Sequence, residues 1–228
     1  MWQIFKKDFL DAFKTKKNIF VYIVFLGLAY VIAKNKTVFV VNPDPSQLPL
    51  FGSVDVMLLI FGLLIAGALF GGIVSGEVDR QTIRFIVPYV SRVKIYVAKF
   101  LAIFVYLILL SIVSIGFVLI YRQTFKLPWL DITMLFVTFL YVAALLMLIS
   151  SLFNQEKLSV FTAAIVGIVL PILALINMLQ PNNIINFILK LTPFGYLEPA
   201  NWGSIASVLA LSVAFTVLGG LIFSRKEV

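Results

Sequence analysis

Residues 76–100 read GEVDRQTIRFIVPYVSRVKIYVAKF. Seven ionised side chains fall within this stretch: Glu77, Asp79, Arg80, Arg84, Arg92, Lys94 and Lys99. The runs on either side, 54–76 and 95–121, carry almost none. Each run is about as long as the 20 or so apolar residues a helix needs to cross the hydrocarbon core of a bilayer. A charged segment between two such runs is the loop joining two membrane spans. The side of the membrane it occupies sets the topology of the rest.

Working outward, further apolar runs lie at 18–33, 130–153, 158–179 and 203–224, which predicts six transmembrane helices in an all-α membrane protein. The first run is short, but Lys17 and Lys34 flank it and can snorkel to the two interfaces. All six are continuously apolar rather than alternating, which argues against a β-barrel. Composition agrees, with 62% hydrophobic and 12% charged residues against about half and a quarter in soluble domains. One membrane domain over residues 1–228 is the expected organisation. Six spans put both termini on one side. That side, with 76–100 and 153–157, holds 13 Lys and Arg against five on the other, so both termini are expected in the cytoplasm. The net charge of +8 follows from this bias, and no basic face outside the flanking segments points to nucleic acid.

The flanks carry their own signals. Residues 1–17 place Trp2, Phe5, Phe9 and Phe13 at helical spacing among lysines and aspartates, which predicts an amphipathic helix lying along the cytoplasmic interface. No cleavable signal peptide is expected, because the first apolar run follows this charged segment and lacks a small-x-small site. Residues 34–53, broken by Pro43, Pro45 and Pro49, read as an outer loop. Residues 180–202 read as an outer re-entrant or interfacial region whose middle, from Ile184 to Leu191, forms a helix too short to cross. NQEK at 154–157 reads as a tight turn.

Much chemistry is excluded. The chain has no cysteine and no histidine, so thiolate metal sites, cysteine nucleophiles and histidine bases are absent. No GxxxxGK[ST] loop occurs either; if ATP drives this protein, another polypeptide hydrolyses it. Neither an enzyme site nor a metal site is expected. The spans also lack deep charges, since Asp55 and Asp131 lie at span ends, which disfavours an ion-coupled carrier. Phe104, Tyr106, Phe136, Thr138 and Tyr141 are candidates for the wall of a conduit for amphipathic cargo, or are packing residues. Gly67, Gly71, Gly72 and Gly76 form two GxxxG spacings that permit close helix contact, within or between subunits. Pro171 is expected to kink the fifth span.

The charged stretch also interleaves Ile83, Phe85, Ile86, Val87, Tyr89, Val90 and Val93, too many apolar residues for a solvated loop. Short helical pieces divided at Pro88, offering a mixed face to a cytoplasmic partner, fit better. Glu77, Thr82, Ile83, Val90, Ser91, Arg92 and Lys99 resemble the segment after the second span in permease subunits of type-2 ABC exporters. That family typically has an acidic residue, Gly-Thr-Ile/Leu, an apolar run, Pro-Val/Ile-Ser-Arg and a Lys. Here Gln81 replaces the Gly, and Pro88 stands two residues before Val90 rather than next to it. LTPFGYL at 191–197 and the layout of the whole chain are also similar to the family.

The resemblance implies that 77–94 is a coupling segment docking on a separate ATP-binding subunit through Glu77, Arg80, Thr82, Arg84, Phe85, Ile86, Tyr89, Ser91 and Arg92. It further implies a second permease subunit, identical or related, with ATP and Mg held only by the ATPase. A bacterial cytoplasmic membrane and a hydrophobic or amphipathic cargo (peptide, lipid or drug) would follow. A stand-alone carrier or channel, and a non-transporting immunity or scaffold protein, remain the alternatives.

Overall fold

A computed structural model describes residues 1–14, 16–34, 49–122, 129–196 and 201–226. All regular structure among them is helical: α1 (Trp2–Lys14), α2 (Lys16–Lys34), α3 (Pro49–Phe70), α4 (Ser75–Asp79), α5 (Ile83–Ile86), α6 (Arg92–Arg122), α7 (Trp129–Leu152), α8 (Glu156–Leu179), α9 (Asn183–Leu189) and α10 (Trp202–Arg225), with a 3-10 turn at Pro193–Tyr196. Five stretches are long and apolar enough to cross a membrane: Ile60–Asp79, Arg92–Tyr121, Ile132–Leu152, Glu156–Asn177 and Trp202–Arg225. The apolar part of α2, Val21–Val31, is shorter. Most of the outer loop expected at 34–53 lies outside the described residues.

α7 is the most enclosed of the five, and α10 packs along it more extensively than any other pair of helices. The main core joins Phe25, Phe70, Ile103, Tyr106, Leu146 and Phe223, drawn from five helices. Tyr106 is an aromatic hub here, with ring centroids 5.4 Å from Phe13 and 5.1 Å from Phe70. Of the conduit candidates, Tyr106, Thr138 and Tyr141 are therefore buried packing residues within one chain, Tyr141 also donating to the Leu191 carbonyl at 2.9 Å. Phe136 is the one that stands exposed. The side chains of Asp55 and Asp131 lie outside the described residues.

The glycines find their partner inside the chain. A Cβ on Gly67 would meet the Ala163 carbonyl oxygen at 3.2 Å, one on Gly71 the Cα of Val160 at 3.1 Å, and ones on Gly72 and Gly76 the Glu156 side chain at 2.7 and 3.1 Å. Reciprocally, a Cβ on Gly167 would lie 2.9 Å from Leu64 Cα. The small-residue face of α3 and α4 is thus closed by α8, as bare backbone allows. α8 is helical through Pro171, whose ring removes the backbone bond to Gly167.

α1 is amphipathic as expected, but its aromatic face turns inward. Ile4, Phe9, Ala12 and Phe13 pack on the core against α6 and α2, while Trp2 stays exposed. Trp129 and Trp202, which open α7 and α10 at the opposite end of the bundle, are exposed too. Tryptophan at helix ends on both sides is the arrangement that membrane interfaces favour.

Candidate functional site

The apolar run at 54–76 is not one helix. α3 stops at Phe70, residues 71–74 form turns, and α4 resumes at Ser75. Such a break strands backbone groups that lipid cannot satisfy, so it persists only where protein supplies partners. Three helices do so. Ser150 Oγ of α7 accepts from the N–H groups of Val74 and Ser75 at 2.9 and 3.1 Å. Ser159 of α8 donates to the Gly71 carbonyl, and Lys99 of α6 donates to the Ile73 carbonyl at 3.0 Å.

Lys99 does more than complete the break. Its side chain is 1% exposed, and the ammonium also lies 3.1 Å from Asp8 Oδ2 and 2.9 Å from Glu77 Oε1. All three of its donors are directed at acceptors on α1, the α3 break and α4. The sequence places Lys99 at the mouth of the third span, whereas the helix begins at Arg92 and carries Lys99 into the protein. With 31 residues α6 spans about 46 Å. Two carboxylates face this single ammonium, and the second oxygen of Glu77, Oε2, is buried with no hydrogen-bond partner among the described residues.

Burial pushes the Asp8 carboxyl above its ordinary value, with the charge of Glu77 adding to this and those of Lys99 and Lys7 opposing it. The folded protein therefore keeps this proton to higher pH than the unfolded chain does. The associated stability is complete below the ordinary value of 3.8 and is lost as pH rises through the folded value. Melting curves at several pH values are expected to show this slope in the native chain and its absence in Asp8→Asn.

Beyond the hub the segment turns twice. Arg80 pairs with Glu156 Oε2 at 2.7 Å, and the Glu156 N–H donates to Asp79 at 3.2 Å, tying α4 to the start of α8. Gln81 then adopts φ 56°, in the left-handed region, and Thr82 Oγ1 returns to the Glu77 carbonyl at 3.2 Å. The segment therefore divides twice, at 80–82 and again at 87–91, where Pro88 lies between α5 and α6. A left-handed backbone explains why glycine suits position 81. Gln81→Gly is expected to raise unfolding stability by up to about 1 kcal/mol, measurable as a small increase in melting temperature in detergent.

The candidate docking residues consequently separate. Glu77, Arg80 and Thr82 are engaged within the chain. Arg92 is engaged as well, donating to the carbonyls of Ser224 (3.0 Å) and Lys226. Lys226 in turn donates to the carbonyls of Ser151 (2.9 Å) and Phe153 (2.5 Å), so cations close the C-terminal ends of α10 and α7. Burial lowers the Lys226 ammonium from its ordinary value. Arg84, Phe85, Tyr89 and Ser91 face outward. Phe85 is 78% and Tyr89 88% exposed, while Ile83 between them and the hub is fully buried. The Ile86 side chain lies outside the described residues.

Asp8, Ser150, Ser159, Glu156 and Lys226 escape a reading that takes each segment by itself. The available signal is Lys99, a lysine several residues inside an apolar helix, which demands buried acceptors. Comparisons with models of known families and with curated protein sequences find no match for this chain.

Proposed function

We propose that the chain is the membrane-spanning permease subunit of an ATP-driven exporter, working as a pair with a second permease subunit and coupled to separate ATP-binding subunits. The observation that carries this reading is the segment after α4. It is anchored by the buried Ile83, and it presents the exposed Phe85 and Tyr89 together with the exposed Arg84. Two rigid aromatics next to an arginine are the side chains that most often anchor protein interfaces.

In this reading α2, with 19 residues and a length of about 28 Å, is the first of six spans. The end of the bundle that gathers α1, 77–94 and Lys226 then faces the bacterial cytoplasm, as its excess of Lys and Arg favours. The pathway for a hydrophobic or amphipathic cargo would lie between the two permease subunits rather than inside one, since most conduit candidates are core residues in a single copy. The chain performs no covalent chemistry itself.

The test is co-expression with the ATP-binding subunit encoded nearest to it. Arg84→Glu combined with Phe85→Ala and Tyr89→Ala is expected to abolish co-purification and stimulated ATP hydrolysis while leaving the melting temperature unchanged. Co-purification at undiminished yield would remove the docking reading. Arg92→Glu is expected to behave differently, lowering the melting temperature by uncapping α10.

A further inference from the structure

The hub around Lys99 contains an imbalance that the docking reading does not use. One buried ammonium faces two carboxylates, and these belong to different segments. Asp8 sits on α1, and Glu77 opens the charged segment. Each carboxylate is attracted to Lys99 and repelled by the other, in surroundings that screen little of either force. Removing or displacing one should therefore strengthen the hold on the other.

We propose that Lys99 is shared competitively between Asp8 and Glu77, so that the seating of α1 against the bundle and the position of the charged segment are negatively coupled through one ammonium. When Glu77 moves away, Lys99 holds α1 more firmly. When Glu77 approaches, α1 loosens. Reciprocity requires the converse, because a coupling free energy acts equally on both sites. The consequence for α1 is physical: its inner face carries Phe9, Ala12 and Phe13, which either pack on the core or leave it. Competition of this kind belongs to the isolated chain and holds whether or not a partner docks, so it stands or falls separately from the exporter reading.

The native sequence has no cysteine, so a single introduced thiol reports on one place. Ala12→Cys lies on the inner face of α1, and Ala143→Cys, fully buried in α7, reports loosening of the whole bundle. Each is made in the full-length chain, reconstituted in lipid nanodiscs, and its labelling rate by a water-soluble maleimide is measured. Asp8→Ala, which removes the acceptor to Lys99 as well as the charge, is expected to accelerate labelling of Ala12→Cys by about tenfold. Glu77→Gln is expected to slow it. Ala143→Cys should be unaffected by either.

Faster or unchanged labelling in Glu77→Gln, or slower or unchanged labelling in Asp8→Ala, overturns the proposal. If Asp8→Ala also exposes Ala143→Cys, the bundle has opened and Glu77→Gln decides alone. Slower labelling of Ala12→Cys then supports the competition, while faster or unchanged labelling overturns it.

Discussion

Lys99→Met is expected to lower the unfolding free energy by about 3–5 kcal/mol, the usual consequence of removing one partner from a buried ion pair. The replacement keeps the length and apolar stem of the side chain, so packing against α1 and α3 is largely retained. What is lost is the positive charge between Asp8 and Glu77 and the donor to the Ile73 carbonyl. Two carboxylates would then face each other in a buried site, beside a helix break with one acceptor unmet. Neutralising them in Lys99→Met/Asp8→Asn/Glu77→Gln should restore most of the loss, because the penalty comes from uncompensated charge. Thermal unfolding in detergent separates these outcomes. If the single variant melts like the native chain, Lys99 is solvated and the buried hub does not exist. If the triple variant is as unstable as the single, the loss lies in packing and not in charge.

Enlarging Gly167 is expected to have the second-largest effect. The nearest atom to a Cβ there is Leu64 Cα, at 2.9 Å, and a backbone atom cannot rotate out of the way. Gly167→Leu must separate α8 from α3, and overpacking of this kind typically costs about 1–3 kcal/mol. Gly72 provides the comparison. Its hypothetical Cβ is closer still, at 2.7 Å, but the neighbour is Glu156 Cγ on a flexible side chain. Gly72→Ala should therefore be milder than Gly167→Ala despite the shorter distance. Melting temperatures of the two alanine variants settle the order. A reversed order would mean that α3 and α8 do not meet through their backbones.

The helical class and the five long spans could be read from uninterrupted apolar runs, because a bilayer leaves a chain of this composition few other arrangements. The amphipathic α1 and the short α9 were legible from spacing and length. The break at 71–74 was not. GGIVSG is as apolar and small as the helix before it, and what permits the break is a set of serines and one lysine on helices far away in sequence. The turn at 80–82 was hidden for a related reason. Pro88 marks the later division between α5 and α6, but the earlier one falls at Gln81, whose left-handed backbone no local rule would assign to glutamine. In the candidate site, the outward aromatic face was legible as a run too apolar for a solvated loop. The surface pairing of Arg80 and the engagement of Arg92 were not, since their partners are Glu156 and the end of α10.

The pairing of α7 with α10 also bears on how the protein is made. α7 enters the membrane well before α10 has been synthesised, yet α10 is the helix that covers most of it. Until α10 arrives, the buried tyrosine hydroxyl of Tyr96 and the closely packed surface around Leu148 lack the Gly219 backbone that closes over them. The nascent protein must hold an unfinished groove open in lipid throughout the synthesis of α8, α9 and the turn that follows. Chains interrupted before Trp202 would present that groove permanently, and membrane quality-control proteases would find in it a feature the finished protein never displays.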